Sequence, residues 1–196
     1  YILVLMFIAS RSAIDSFDGD VTIQLPVNMR NFYPSETLRN FSMYCGIRIP
    51  LNYDYSFDEL LIEITKQLEE KSSKEAMSEM LTSTQKLINS IRLIPLIIKL
   101  PVAKLMYGAV GDNAFTNTLS NLGVIKFPDS YSNEIESMDF ILGTSDKNRV
   151  SSGLISVNGV TTLTVTKKTV DPSYEETLYK LLLDEGVSFT VEGSDI

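Results

Sequence analysis

Asn158-Gly159 lies between two runs rich in alternating β-branched residues, Val150 to Val157 and Val160 to Lys167. Asn-Gly between such runs is the strongest short-range signal for a two-residue type I′ hairpin, because both central residues must take positive φ. A turn closed there sets Val157 opposite Val160 and Leu154 opposite Leu163. A long antiparallel pair is therefore fixed late in the chain, and every other segment must be placed around it.

The segments on either side alternate between strand and helix periods. Val21 to Val27, bounded by Asp18-Gly19-Asp20 and Pro26, reads as a strand. Asn40 to Pro50 reads as a second extended stretch, with Phe41, Met43 and Cys45 on one side and Ser42 and Tyr44 on the other. Ser56-Phe57-Asp58-Glu59 is a capping box, and Leu60, Leu61, Ile64 and Leu68 share one face of the helix it opens. A second helix is expected from about Lys74 to Ser90. Phe115 to Phe127 and Glu134 to Leu142 are each expected to carry a strand. Asp171-Pro172 starts a helix with Tyr174, Leu178, Leu181 and Leu182 on its apolar face. Gly186 ends it, and Val187 to Val191 is expected as a final short strand. Strands mixed with helices predict one α/β domain over residues 1–196, with a mixed β-sheet flanked by helices.

Two apolar segments need separate treatment. Ile2 to Ala9 follows Tyr1 directly, has no basic residues before it and is too short to span a bilayer. It reads as a buried helix cut from a longer chain, the alternative being a signal-peptide core. Ile91 to Val110 is the most hydrophobic region, interrupted by Arg92, Lys99, Lys104, Pro95 and Pro101. A charge at the centre of a membrane span costs about 2.5 to 3.5 kcal/mol on insertion scales. The expectation is a core helix broken at its prolines, with a membrane-surface helix as the lesser reading.

The composition excludes several function classes. None of the 196 residues is histidine, so neither a Ser-His-Asp nor a Cys-His device can be built from this chain, nor a histidine-rich zinc site. No spacing suited to a metal is present. A formal charge of −8 argues against a nucleic-acid groove. Cys45 is the one cysteine and cannot form an internal disulfide, which points to a reducing, cytoplasmic setting. Gly108-Ala109-Val110-Gly111 lacks the spacing and the following Lys of a phosphate loop.

Two segments could carry chemistry. Asn28 and Arg30 stand at the end of the first strand, where an arginine can grip a carboxylate by its fork; an ordinary surface arginine is the simpler reading. Ser120 and Asn121 interrupt an apolar strand with a hydroxyl and an amide, groups able to donate to a developing oxyanion. A bulge centred on Gly123 is the alternative.

The run PVNMRNFYPSETLRNFSMYCGI, Pro26 to Ile47, resembles the "PVNLR…SxTxxNF" stretch of bacterial alcohol acetyltransferase-like proteins. These are members of the chloramphenicol acetyltransferase/condensation-domain superfamily of CoA-dependent acyltransferases. NTLSNLGVIKFPD, Asn117 to Asp129, resembles their "SNLG" strand. That family has two similar lobes around a tunnel, with the catalytic histidine of an HHxxxDG motif on the first. The resemblance implies a C-terminal lobe that holds no catalytic residue of its own and is inactive alone. Arg30 would pair with the Asp of the absent motif, and Asn28 would brace the same junction. Asn40 to Pro50 would cross between lobes. Ser120 and Asn121 would face the tunnel, orienting the acceptor or stabilising the oxyanion. The co-substrate would be acetyl-CoA or another acyl thioester, with no tightly bound cofactor, and the acceptor a small alcohol-type molecule. The implied partner is the N-terminal lobe, with homo-oligomers possible through the face that lobe would cover. A non-catalytic binding or assembly module of the same fold is the alternative function.

Overall fold

A computed structural model of the chain describes all residues except 15–18, 107–114, 133, 145–147 and 194–196. The chain opens with helix α1 (Ile2–Ser12), then strand β1 (Asp20–Asn28), a single 3-10 turn at Met29–Asn31 and strand β2 (Ser42–Pro50). Helices α2 (Phe57–Lys71), α3 (Lys74–Ile91) and α4 (Leu96–Met106) follow. Strand β3 (Asn117–Val124), a one-turn helix α5 (Asp129–Ser132), strands β4 (Val150–Val157) and β5 (Val160–Thr166), and helix α6 (Ser173–Asp184) complete the order. Among the described residues the strands form one sheet in the order β2-β1-β3-β4-β5. The two inner pairings, β1 with β3 and β3 with β4, are parallel; the outer two are antiparallel. The mixed α/β fold expected from the sequence is the fold observed.

One face of the sheet is covered by helices. Val21 and Ile23 of β1, Ile47 and Ile49 of β2 and Leu119 of β3 point to this face and meet Val4, Met6 and Phe7 of α1 and Leu60 and Ile64 of α2. Leu5 and Ala9 of α1 pack against Val150, Tyr174 and Leu178, which ties α6 to the same layer. α1 is the central helix of this layer: Leu3 to Phe7 are all buried, as the sequence predicts. Burial of side chains this size stabilises by about 1.5 to 3 kcal/mol each. A third cluster of Met29, Cys45 and Met77 fixes the start of α3 against β2.

Local signals are realised where the chemistry is local. Ser56 accepts from the Glu59 N–H and the Glu59 carboxylate accepts from the Ser56 N–H, completing the capping box. The hairpin has Asn158 at φ 48° and Gly159 at φ 82°, with Val157 opposite Val160 and Leu154 opposite Leu163. α6 ends with Gly186 at φ 71°, the Gly186 N–H donating to Leu183 O and the Val187 N–H to Leu182 O. That pair of bonds is a Schellman cap.

Three expectations fail. Glu134 to Leu142 forms no strand among its described residues. It passes over the face of β4 and β5 rather than in their plane, so its carbonyls meet side chains: Asn158 donates to Ile135 O, Thr164 to Phe140 O and Thr166 to Leu142 O. Val187 to Val191 is also no strand; past the cap the chain folds back and Phe189 meets Tyr179 edge-on, centroids 5.3 Å apart. The region from Ile91 onward is helical but not core. Pro95 opens α4 with its carbonyl accepting from Ile98 and Lys99, and Pro101 sits inside α4. The apolar side chains of α4 are nonetheless exposed. The end of that stretch, with the Gly108 to Gly111 segment, lies outside the described residues.

Candidate functional site

The second face of the sheet carries mainly small and polar residues, with the buried Ile155 and Val157 of β4 at one end of it. Side chains alternate along a strand, so the residues out of phase with the buried Val21, Ile23 and Leu119 turn to this face. The strand registers bring together Thr22 and Gln24 of β1, Gly46 and Arg48 of β2, Thr118 and Ser120 of β3, and Ser151 and Gly153 of β4. Thr164 and Thr166 of β5 continue the row. Asn148 donates to the Thr118 hydroxyl at 3.0 Å, and Thr118 donates to Gln24 Oε1 at 3.2 Å.

At the β1–β2 end this face opens into a cavity of about 500 Å³ lined by Asp20, Thr22, Gly46, Arg48, Lys71, Phe115 and Thr116. Its shape depends on Gly46: a Cβ there would meet the Phe115 ring at 2.9 Å. Arg48 Nε donates to Asp20 Oδ2 at 2.7 Å, with a second bond from Nη2 to the same oxygen. α2 runs along the open edge of β2. Gln67 exchanges two bonds with the Arg48 backbone, and Lys71 Nζ donates to Gly46 O and Gln67 Oε1. These side chains satisfy edge groups that would otherwise invite another strand. Two cations and one carboxylate leave the cavity with a positive balance suited to an anionic group.

The residues singled out in the sequence separate in the structure. Ser120 is half-buried on the polar face, in line with Thr118. Asn121 follows it and turns the other way. It is exposed, and its Oδ1 accepts from the Gly123 N–H at 2.8 Å. Gly123 has φ 69°, and the β3–β4 register shifts between Asn121 and Val124, so the expected bulge is present as well. Asn28 caps the 3-10 turn by accepting from the Arg30 N–H at 3.1 Å. Arg30 is exposed; its Nη2 donates to Thr37 O and Arg39 O, and its guanidinium lies 5.9 Å from the Phe41 ring centroid. The structure therefore joins Asn28 to Arg30 but not Ser120 to Asn121.

Arg48 and Lys71 were missed in the sequence. Arg48 was legible as a lone charge in Cys45-Gly46-Ile47-Arg48-Ile49, on the opposite phase from the apolar residues. Lys71 gave no such signal, because only the docking of α2 brings it to the strand. Burial pushes the Cys45 thiol up, against the pull of Lys71, so this cysteine is no thiolate nucleophile. Asn117 Oδ1 is buried without a hydrogen-bond partner among the described residues, and the buried hydroxyls of Ser152 and Tyr174 face each other; all three lie on the helix-covered face, away from the cavity.

No protein-family model and no curated protein sequence matches the chain. A solved structure does. The fold is shared with vinorine synthase. The crystal structure of that protein matches with a TM-score of 0.50 and 13% identity, over 94% of this chain and 40% of the other. This chain thus spans well under half of the length of vinorine synthase. The likeness shows a shared fold, a mixed five-stranded sheet with flanking helices.

Proposed function

We propose that residues 1–196 are a single α/β domain, the C-terminal lobe of a CoA-dependent O-acyltransferase that moves an acyl group from a thioester to an alcohol-type acceptor. One observation carries this reading: the fold shared with vinorine synthase extends over 94% of a chain that contains no histidine. The general base then lies on an N-terminal lobe. There a histidine takes the proton of the acceptor hydroxyl as its oxygen attacks the thioester carbonyl. The oxyanion collapses, the C–S bond breaks, and the thiolate of CoA recovers the proton from the histidine.

This chain contributes the polar face. Ser120 is the candidate donor to the oxyanion or the acceptor. Arg30 is an interface residue rather than a catalytic one. Only its Nη2 has a hydrogen-bonded partner among the described residues, so Nε and Nη1 can still receive a carboxylate of the first lobe. Acetyl-CoA or another acyl thioester is a co-substrate, not a resident cofactor. The lone Cys45 fits a reducing, cytoplasmic setting.

The test is thiol release from acetyl-CoA with a panel of alcohols. The chain alone is expected to release none above buffer, and the chain joined to an HHxxxDG-bearing lobe encoded upstream of Tyr1 is expected to turn over. Robust turnover by residues 1–196 alone overturns the proposal. The absence of histidine also suits a non-catalytic assembly module of the same fold, and that reading takes over if no HHxxxDG segment is encoded upstream.

A further inference from the structure

Residues 81–105 make up the second half of α3, the turn at 92–95 and most of α4. Nearly all of their apolar side chains are in water: Leu93 is 93% exposed, Ile97 82% and Leu105 75%, with Leu87, Ile88, Leu96, Ile98, Leu100 and Val102 all more than half exposed. α4 has little contact with any other element. A helix apolar on every side is normally enclosed by protein or lipid, and a surface patch this continuous marks an interaction site.

The charge of this arm selects the occupant. Between Met80 and Gly111 there is no Asp or Glu, while Lys86, Arg92, Lys99 and Lys104 are present, in a chain whose formal net charge is −8. A second copy meeting arm to arm would bring these cations together with no carboxylate from either arm to pair them. An anionic headgroup layer pairs them all and accepts the apolar side chains beneath. At 11 residues α4 is roughly 16 Å long, against about 30 Å of bilayer hydrocarbon, so it can lie in a membrane surface but not cross it. No helix among the described residues is long and apolar enough to cross a membrane.

We propose that residues 81–105 form an arm that docks this protein on an anionic lipid surface. Leu93, Leu96, Ile97 and Leu105 enter the boundary between headgroups and acyl chains. Lys99 and Lys104 extend their stems along it and set their ammonium groups among lipid phosphates.

Co-sedimentation of the full chain with phosphatidylcholine vesicles, with and without phosphatidylserine, tests this. The chain is expected to pellet with the phosphatidylserine vesicles and to be released by added salt. Lys99→Gln with Lys104→Gln should lower the partition coefficient about thirtyfold, at roughly fivefold per cation. Leu93→Ser with Ile97→Ser should abolish binding. Leu93, Ile97 and Lys104 are exposed and Lys99 is partly exposed, so both double variants should keep the thermal midpoint, which separates lost docking from lost folding. The proposal is overturned if the chain pellets with neither vesicle, or if the lysine variant binds as the parent does. It is also overturned if sedimentation velocity finds a dimer that Ile97→Ser disperses while no vesicle binding occurs, which would assign the arm to a second copy.

Discussion

Gly153 has room on its outer side for a hydrogen and nothing larger. A Cβ built there would lie 1.9 Å from Phe140 O and 2.8 Å from Thr164 Oγ1. The first of these is backbone, held in place because Phe140 O also accepts from Thr164 at 2.5 Å. Gly153→Ala must therefore lift the whole crossing segment off β4. Gly46 presents a milder case, since its nearest neighbour is the edge of the Phe115 ring at 2.9 Å, which can turn aside. Urea unfolding should show Gly153→Ala destabilised by about 3 kcal/mol and Gly46→Ala by about 1 kcal/mol, with unchanged m-values. Equal midpoints for the two variants would show that the crossing is not held against the sheet. The mid-chain residue that most constrains the polar face is thus a glycine with an ordinary negative φ, and close approach rather than backbone freedom is what requires it.

Among the elements, α2 has a start that responds to pH. Glu59 is held below the usual carboxylate range, first by the Ser56 N–H and then by the Ser56 hydroxyl. Its folded pKa is lower than its unfolded value of about 4.3. The capping box therefore adds stability that is fully present above that value and is lost as pH falls through the folded pKa. Thermal midpoints measured from neutral to acid should fall more steeply for the parent than for Glu59→Gln, the two curves converging at the acid end; parallel curves would exclude Glu59 as the titrating group. This box was legible in the sequence because all its atoms lie within four residues. The Asn158-Gly159 hairpin was legible for the same reason, and the burial of α1 followed from an unbroken apolar run. The residues of 134–142 have strand-like composition, but only the threonines of β5 and the gap above Gly153 decide that they cross the sheet instead of joining it. α4 has the composition of a core helix, and composition reports only that a segment avoids water, not what covers it. In β3, spacing showed that Ser120 and Asn121 are polar; the bulge at Gly123 and the pairing of Asn121 with it decided that only Ser120 stays on the polar face.

At the scale of the molecule, the two faces of the sheet divide the work. The helix-covered face supplies the hydrophobic core through α1, α2 and α6. The other face carries small side chains, hydroxyls and one amide around the cavity beside β2, with the buried Ile155 and Val157 at its β4 end. Around the cavity this face buries little apolar surface and stabilises the fold poorly, a departure of the kind that marks a functional site. The division also sets Ser120 and Asn121 against each other in the proposed enzyme, this chain joined to a histidine-bearing lobe. Ser120→Ala removes a hydroxyl from the polar face, and if that hydroxyl meets the oxyanion, kcat should fall about a hundredfold with KM little changed. Asn121→Ala removes only the cap on the Gly123 N–H, so it should lower the thermal midpoint and leave kcat within a few fold. A larger loss of kcat from Asn121→Ala than from Ser120→Ala would place the acyl group on the opposite side of β3 from the cavity, and the polar face would then need another occupant.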